Sequence, residues 1–183
     1  MIIVTGMDNS GKTTLVQQLL GELNRNPFEK RKFQVVNSPG PVAKEIQEDW
    51  VVNQVALEQE ERFTNIYERF PLLEEVVYGE VLRGNPLFTY GDSYFKLLKK
   101  ANPLIVYTRP SRERIFNFGD RPQMDGVIEK STELLAAYDD LIFKMMSEGW
   151  KVVVYDFDSG SPEDLAEAYL FTEILDKFKG GIF

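Results

Sequence analysis

Short apolar, β-branched runs alternate along this chain with longer stretches in which apolar residues return every three or four positions. Ile2-Ile3-Val4-Thr5 is apolar on both strand faces, the pattern of a strand covered on both sides of a sheet. From Thr13 onward, Leu15, Val16, Leu19, Leu20 and Leu23 share one helical stripe. Phe33-Gln34-Val35-Val36 predicts a second strand, ended by Ser38-Pro39-Gly40-Pro41. A helix is expected over about 42–61, then a short strand over 64–67. Leu104-Ile105-Val106-Tyr107 and Val152-Val153-Val154-Tyr155 predict the last two strands. Between them, 127–148 has the length and spacing of a long helix, and Gly149 is its stop signal. Ser161-Pro162-Glu163-Asp164 opens a final helix with a capping serine, a first-turn proline and two acids suited to the helix dipole.

Five strands separated by helices of this length imply right-handed crossovers and a parallel sheet. The expectation is one three-layer α/β domain over 1–183, with a five-stranded parallel sheet flanked by helices. The segment 116–126, with Gly119, Arg121, Pro122 and Gly126, follows neither period. It reads equally as a connector or as a lid over a ligand.

Composition narrows the chemistry. The 183 residues are 43% hydrophobic, enough for a core without staples, and include neither cysteine nor histidine. That removes thiol nucleophiles, thiolate and imidazole metal sites, and histidine-based triads. Carboxylates, lysine, arginine, hydroxyls, backbone amides and hard cations remain. Twenty-one basic against 29 acidic residues, a net charge of −8, argue against a broad nucleic-acid surface but leave room for a local basic pocket. No stretch approaches the ~20 apolar residues that span a bilayer. Met1-Ile2-Ile3-Val4 gives way at once to polar residues and does not read as a signal peptide, so a cytoplasmic protein is expected.

Gly6-Met7-Asp8-Asn9-Ser10-Gly11-Lys12-Thr13 matches G-x-x-x-x-G-K-[ST] completely, after a buried strand and before an amphipathic helix. In such a loop successive backbone amides cradle an anion, and the glycines supply the backbone angles. Lys12 reaches the outer phosphates of a nucleoside triphosphate, and the Thr13 hydroxyl is a Mg²⁺ ligand. Gly6, Asn9, Ser10, Gly11, Lys12, Thr13 and Thr14 are therefore expected to hold ATP and Mg²⁺. No Asn-Lys-x-Asp base-reading motif follows, which argues against a GTPase. Asp156, after an apolar strand, resembles a Walker B acid, but an acid between a strand end and a helix cap is also ordinary turn chemistry.

The run Gly6 to Thr14, with its acid at the third position and paired threonines, resembles the thymidylate kinase loop. Tyr67-Glu68-Arg69-Phe70-Pro71 is similar to that family's Asp-Arg motif, with Glu in place of Asp. Pro71 to Gly79 resembles phage-type members in particular. Ile105 to Pro110 and Gln123 to Val127 are similar to later segments of the same proteins. After the second strand the chain departs from the family's Arg-Glu-Pro-Gly, carrying Asn37-Ser38-Pro39-Gly40.

This resemblance implies a P-loop kinase, a homodimer, and phosphorylation of a deoxynucleoside monophosphate. It implies that Asp8 contacts the acceptor sugar, that Glu68 shares Mg²⁺ with Thr13, and that Arg69 clamps the acceptor phosphate. Arg109, at a strand's carboxyl end, and Arg121, in the suspected lid, are further phosphate candidates. Arg112 and Arg114 on a short helix are weaker ones. Phe70, Tyr78 or Trp50 are candidates to face the acceptor base, and the turn Ser159-Gly160-Ser161 to lie near adenine. A phosphate acceptor needs positioning and charge shielding, whereas a sugar hydroxyl benefits from a general base. With no acid between Asn37 and Gly40, the sequence favours a phosphate acceptor. A hydroxyl-directed kinase acting on a deoxynucleoside or on DNA, and a nucleotide-binding module without transfer, stay open as alternatives.

Overall fold

The structure is a computed structural model that describes residues 1–25, 32–58, 63–109, 111–117 and 123–170. Five strands, β1 (Ile2–Thr5), β2 (Lys32–Asn37), β3 (Phe63–Glu68), β4 (Leu104–Thr108) and β5 (Lys151–Tyr155), form one sheet in the order β2-β3-β1-β4-β5. Every pairing is parallel, as the crossover lengths predict. β1 lies at the centre and is buried along its whole length. Its alternate residues feed two cores. Ile2 and Val4 pack with Leu15, Leu19 and Leu23 of α1 (Lys12–Arg25) and with Tyr169 of the last helix, over 162–170. Ile3 packs on the opposite face with Val51 and Val55 of α2 (Lys44–Leu57) and with Leu134 and Tyr138 further along the chain. Helices on both sides of a parallel sheet make the three-layer α/β architecture.

Several boundaries differ from the sequence pattern. α2 opens at Lys44 rather than near 42, because Ala43 keeps an extended backbone (φ −55°, ψ 149°). The helix expected from 127 begins at Ser131, as α6 (Ser131–Ser147); Gly126 turns at φ 82°, and 125–130 form turns. The pattern assigns nothing between 71 and 103. There the chain forms α3 (Pro71–Glu74), which runs directly into a π-helix over Glu75–Arg83, followed by α4 (Ser93–Lys100). A π-helix has neither the 3.6 nor the 2.0 period, so its apolar spacing is silent in a search for those two. Gly84, at φ 66°, ends it in the left-handed region. The start of α4 carries an ordinary cap, with Asp92 Oδ1 accepting from the Tyr94 and Phe95 amides at 2.9 and 3.0 Å. The arginine-bearing helix is α5 (Arg112–Phe116). Of the suspected lid only the two ends, 116–117 and 123–126, are described. Among the described residues no helix is long and apolar enough to cross a membrane.

This topology gathers the chemistry at one edge. The carboxyl ends of β1, β3 and β4 are neighbours, and Val4 stands in register with Glu68, as Thr5 does with Tyr107. Ligands in open α/β sheets bind at that edge.

Candidate functional site

The loop from Gly6 to Gly11 leaves β1 and delivers the chain into α1. A Cβ on Gly6 (φ 143°) would lie 2.6 Å from the Thr108 carbonyl oxygen, and one on Gly11 (φ 86°) would lie 2.8 Å from the Phe157 ring. Both positions require glycine for angle and for space. Asn9 also takes a positive φ, 65°, and its Nδ2 donates to the carbonyls of Arg114 and Asn117 at 2.9 and 2.8 Å. Thr108 Oγ1 donates to the Thr5 carbonyl at 3.0 Å, so in its 2.5 Å contact with Ser10 the serine hydroxyl is the donor. The loop is thus held in shape by β4 and by the end of α5.

Lys12 is the first residue of α1 and is buried. Its Nζ donates to the carbonyls of Gly6 and Met7 at 2.7 and 2.6 Å, folding back onto its own loop. Burial, and next the repulsion of Arg69, lower its pKa to about 8. Thr13 Oγ1 donates to Glu68 Oε1, joining the start of α1 to the end of β3. These two oxygens suit a hard divalent cation such as Mg²⁺, which takes few protein ligands and completes its shell with phosphate and water. Among the described residues no group of three or more acids is placed to hold a metal ion.

Arg69 follows β3 with φ 69° and donates its amide to the Val4 carbonyl at 2.9 Å. Its guanidinium pairs with Asp8 Oδ1 and lies 3.8 Å from Glu74 Oε2. Glu74 Oε1 accepts from Thr5 Oγ1 at 3.2 Å. Burial raises the Glu74 pKa, against the opposing pull of Arg69 and Lys12. The Asp8 amide donates to the Tyr78 hydroxyl at 3.0 Å, so the π-helix touches the glycine loop directly.

Beside this cluster lies a cavity of about 320 Å³. Asn37 and Ser38 form one wall, Gln47 another, and Glu68 and Arg69 its edge toward the loop. Glu74, Glu75, Tyr78 and Arg83 complete it, with Arg83 paired to Glu75. The expectation that the acceptor region would lack a base therefore needs correcting. The end of β2 carries no acid, but the β3–α3 junction supplies Glu68, Glu74 and Glu75 to the same space. The signal was the Glu74-Glu75 pair after Pro71, at a distance in sequence that only the fold closes.

Lys12, Thr13, Asp8, Glu68 and Arg69 come together as the sequence reading expects. Thr14 is exposed in the first turn of α1. Other candidates lie elsewhere. Phe70 is fully buried between Trp50 and Tyr67, with ring centroids 5.2 and 5.4 Å away, and is a core residue rather than a cavity wall. Arg109 donates to Asp139 of α6 at 2.8 and 3.0 Å and is not among the cavity residues. Asp156 accepts from the Asp158 amide at 3.0 Å and from Ser159 Oγ at 3.1 Å, ordering its own turn at the edge strand β5. The acid beside the loop is instead Glu68, on the strand next to β1. Arg114 pairs with Asp158 and stacks 4.6 Å over the Phe157 ring, close to Gly11 and to the turn at 159–161. Arg121 lies outside the described residues.

No protein-family model matches the chain, and no curated protein matches it either. Among solved structures, it is similar to the YorR protein from Bacillus subtilis, crystallised in complex with phosphorylated GDP. The identity is 19%, the match covers 97% of each chain, and the TM-score is 0.67. The shared feature is the fold, over its full length.

Proposed function

We propose that this chain binds a nucleoside triphosphate with Mg²⁺ at the Gly6–Thr14 loop and transfers its terminal phosphoryl group to an acceptor in the adjacent cavity. The observation that carries this reading is the meeting of two half-sites: Thr13 with Glu68, and Asp8 with Arg69. A protein that only sensed nucleotide would need the loop but no guanidinium beside an acceptor-sized cavity. The nucleotide in the YorR complex adds support for a nucleotide ligand on this fold.

In this reading the loop amides and Lys12 hold the β- and γ-phosphates, and Lys12 exchanges its two loop carbonyls for phosphate oxygens. Thr13 and Glu68 would hold Mg²⁺, which supplies charge neutralisation on the transferring group. Arg69 orients the acceptor and offsets its charge, a task suited to a planar guanidinium. A deoxynucleoside monophosphate is the acceptor we favour, since its phosphate is already an anionic nucleophile and would pair with Arg69. A hydroxyl acceptor is the second reading, and Glu74 is the observation that favours it: a partly buried carboxylate with a raised pKa, lining the same cavity, is suited to accept a hydroxyl proton.

The two readings part in one assay, ADP release from ATP and Mg²⁺ with deoxynucleoside monophosphates, deoxynucleosides or a DNA oligonucleotide as acceptor. Turnover with a monophosphate is the expected result. Turnover with a nucleoside or DNA alone would replace it with the hydroxyl reading, and tight ATP binding with no acceptor-dependent turnover would overturn transfer altogether.

A further inference from the structure

One polar atom at the cavity, a side-chain oxygen, has no hydrogen-bond partner among the described residues. Gln47, on α2, is 1% exposed and lines the cavity beside Asn37 and Ser38. Its Nε2 donates to the Val42 carbonyl at 2.9 Å. Only the amide nitrogen can make that bond, so the side chain's two ends are assigned by chemistry: flipping it would set Oε1 against a carbonyl oxygen. Gln47 Oε1 is left buried with no hydrogen-bond partner among the described residues. A buried acceptor without a donor is costly, and native proteins retain one where something else satisfies it. Ser38 Oγ accepts from the Gly40 amide at 3.4 Å, which leaves its own proton to donate into the same space.

We propose that Gln47 Oε1 is the specificity contact of the acceptor site and selects a base whose ring edge presents an N–H flanked by carbonyls. This rests on the acceptor being a nucleoside or its monophosphate. The chemistry follows from a single fixed acceptor. Thymine and uracil place an N–H between two carbonyls at the centre of the pairing edge, which gives one donor for one acceptor, whereas guanine flanks its N–H with a carbonyl and an amino donor. Adenine and cytosine place a ring-nitrogen lone pair there, which would oppose Oε1. Hydroxyl and amide donors at Ser38 and Asn37 match the carbonyls beside such an N–H. A rigid amide reads this difference sharply, because a buried polar group left unpaired by the wrong ligand penalises it.

The test measures binding and transfer for dTMP, dUMP, dGMP, dCMP, dAMP and N3-methyl-dTMP, with the corresponding nucleosides, on the whole chain and on Gln47→Met. Met is close to Gln in size, so it removes the acceptor without opening space. The wild type is expected to prefer dTMP or dUMP over dGMP, dCMP, dAMP and the methylated analogue by about tenfold or more. In Gln47→Met that preference collapses, while ATP affinity and the unfolding midpoint show the fold intact. The methylated ligand tests the contact in the wild type even if the variant fails to fold. Equal use of dTMP and N3-methyl-dTMP by the wild type, or persistent discrimination in Gln47→Met, would overturn the Gln47 assignment and leave the proposed kinase standing. Discrimination in binding without any transfer would uphold Gln47 and overturn the kinase. Binding of ATP but of no second nucleoside or nucleotide would overturn both.

Discussion

Arg69 reaches across from the end of β3 to pair with Asp8 in the glycine loop, and it does so from a left-handed backbone conformation at φ 69°. That conformation costs a non-glycine residue about 1–2 kcal/mol. The chain accepts it because the Val4 carbonyl fixes the Arg69 amide and because Asp8 and Glu74 both face the guanidinium.

Two substitutions at Arg69 separate backbone from charge. Arg69→Ala removes the cation and keeps the strain, whereas Arg69→Gly removes both. Both variants are expected to lose acceptor-dependent turnover by about 10² or more, the scale of one charged contact to the transferring or accepting group. Arg69→Gly should nonetheless be more stable than Arg69→Ala by about 1 kcal/mol, read from urea unfolding midpoints. Equal stability of the pair would mean that the backbone strain is not carried in solution.

The lowered pKa of Lys12 predicts a proton-linked signature. Its ammonium is disfavoured in the free protein, where its pKa is about 8 instead of 10.5. Between those values the unfolded chain holds a proton that the folded chain has released, so this group makes stability rise with pH across that window. Relative to Lys12→Met, the wild type should gain of order 3 kcal/mol from pH 8 to 10.5, measured by denaturant unfolding at each pH. Phosphate oxygens favour the charged form, so nucleotide binding restores the pKa. Calorimetry at pH 8 in buffers of different ionisation enthalpy should then register uptake of about half a proton per nucleotide. Proton release, or none, would contradict this.

Tyr78 ties the cavity wall to the loop through the Asp8 amide. Tyr78→Phe keeps the ring against Tyr138 but leaves that buried amide without its acceptor, at a cost of about 1–3 kcal/mol. The expected outcome is faster hydrogen exchange at the Asp8 amide and a nucleotide affinity lowered by about tenfold, with the rest of the exchange pattern unchanged. Unchanged exchange at Asp8 would show that the π-helix does not support the loop.

Much of this was legible one residue at a time. The strand-loop-helix pattern around Gly6 to Thr13 predicts the glycine loop between β1 and α1 because both the motif and its context are local. Five buried runs and their spacing likewise imply a parallel sheet. The stretch over 75–83 was illegible because a π-helix follows neither standard period, and the eight-residue α4 is too short for its period to stand out. Phe70 was misplaced because an aromatic beside a functional arginine looks alike from sequence whether it faces a ligand or, as here, packs between Trp50 and Tyr67.

The amino-acid sequence by itself determined the glycine loop between β1 and α1, the fold class and the restricted chemistry of a chain without cysteine or histidine, since these depend on neighbours in the chain or on composition alone. Of the two acids the sequence offered, Glu68 and Asp156, tertiary structure set Glu68 beside the loop, because its strand lies next to β1. It also decided that Glu74 and Gln47 face one cavity. Their side chains come from different helices, 27 positions apart, and only the packing of α2 and α3 on one face of the sheet brings them to the same ligand-sized space.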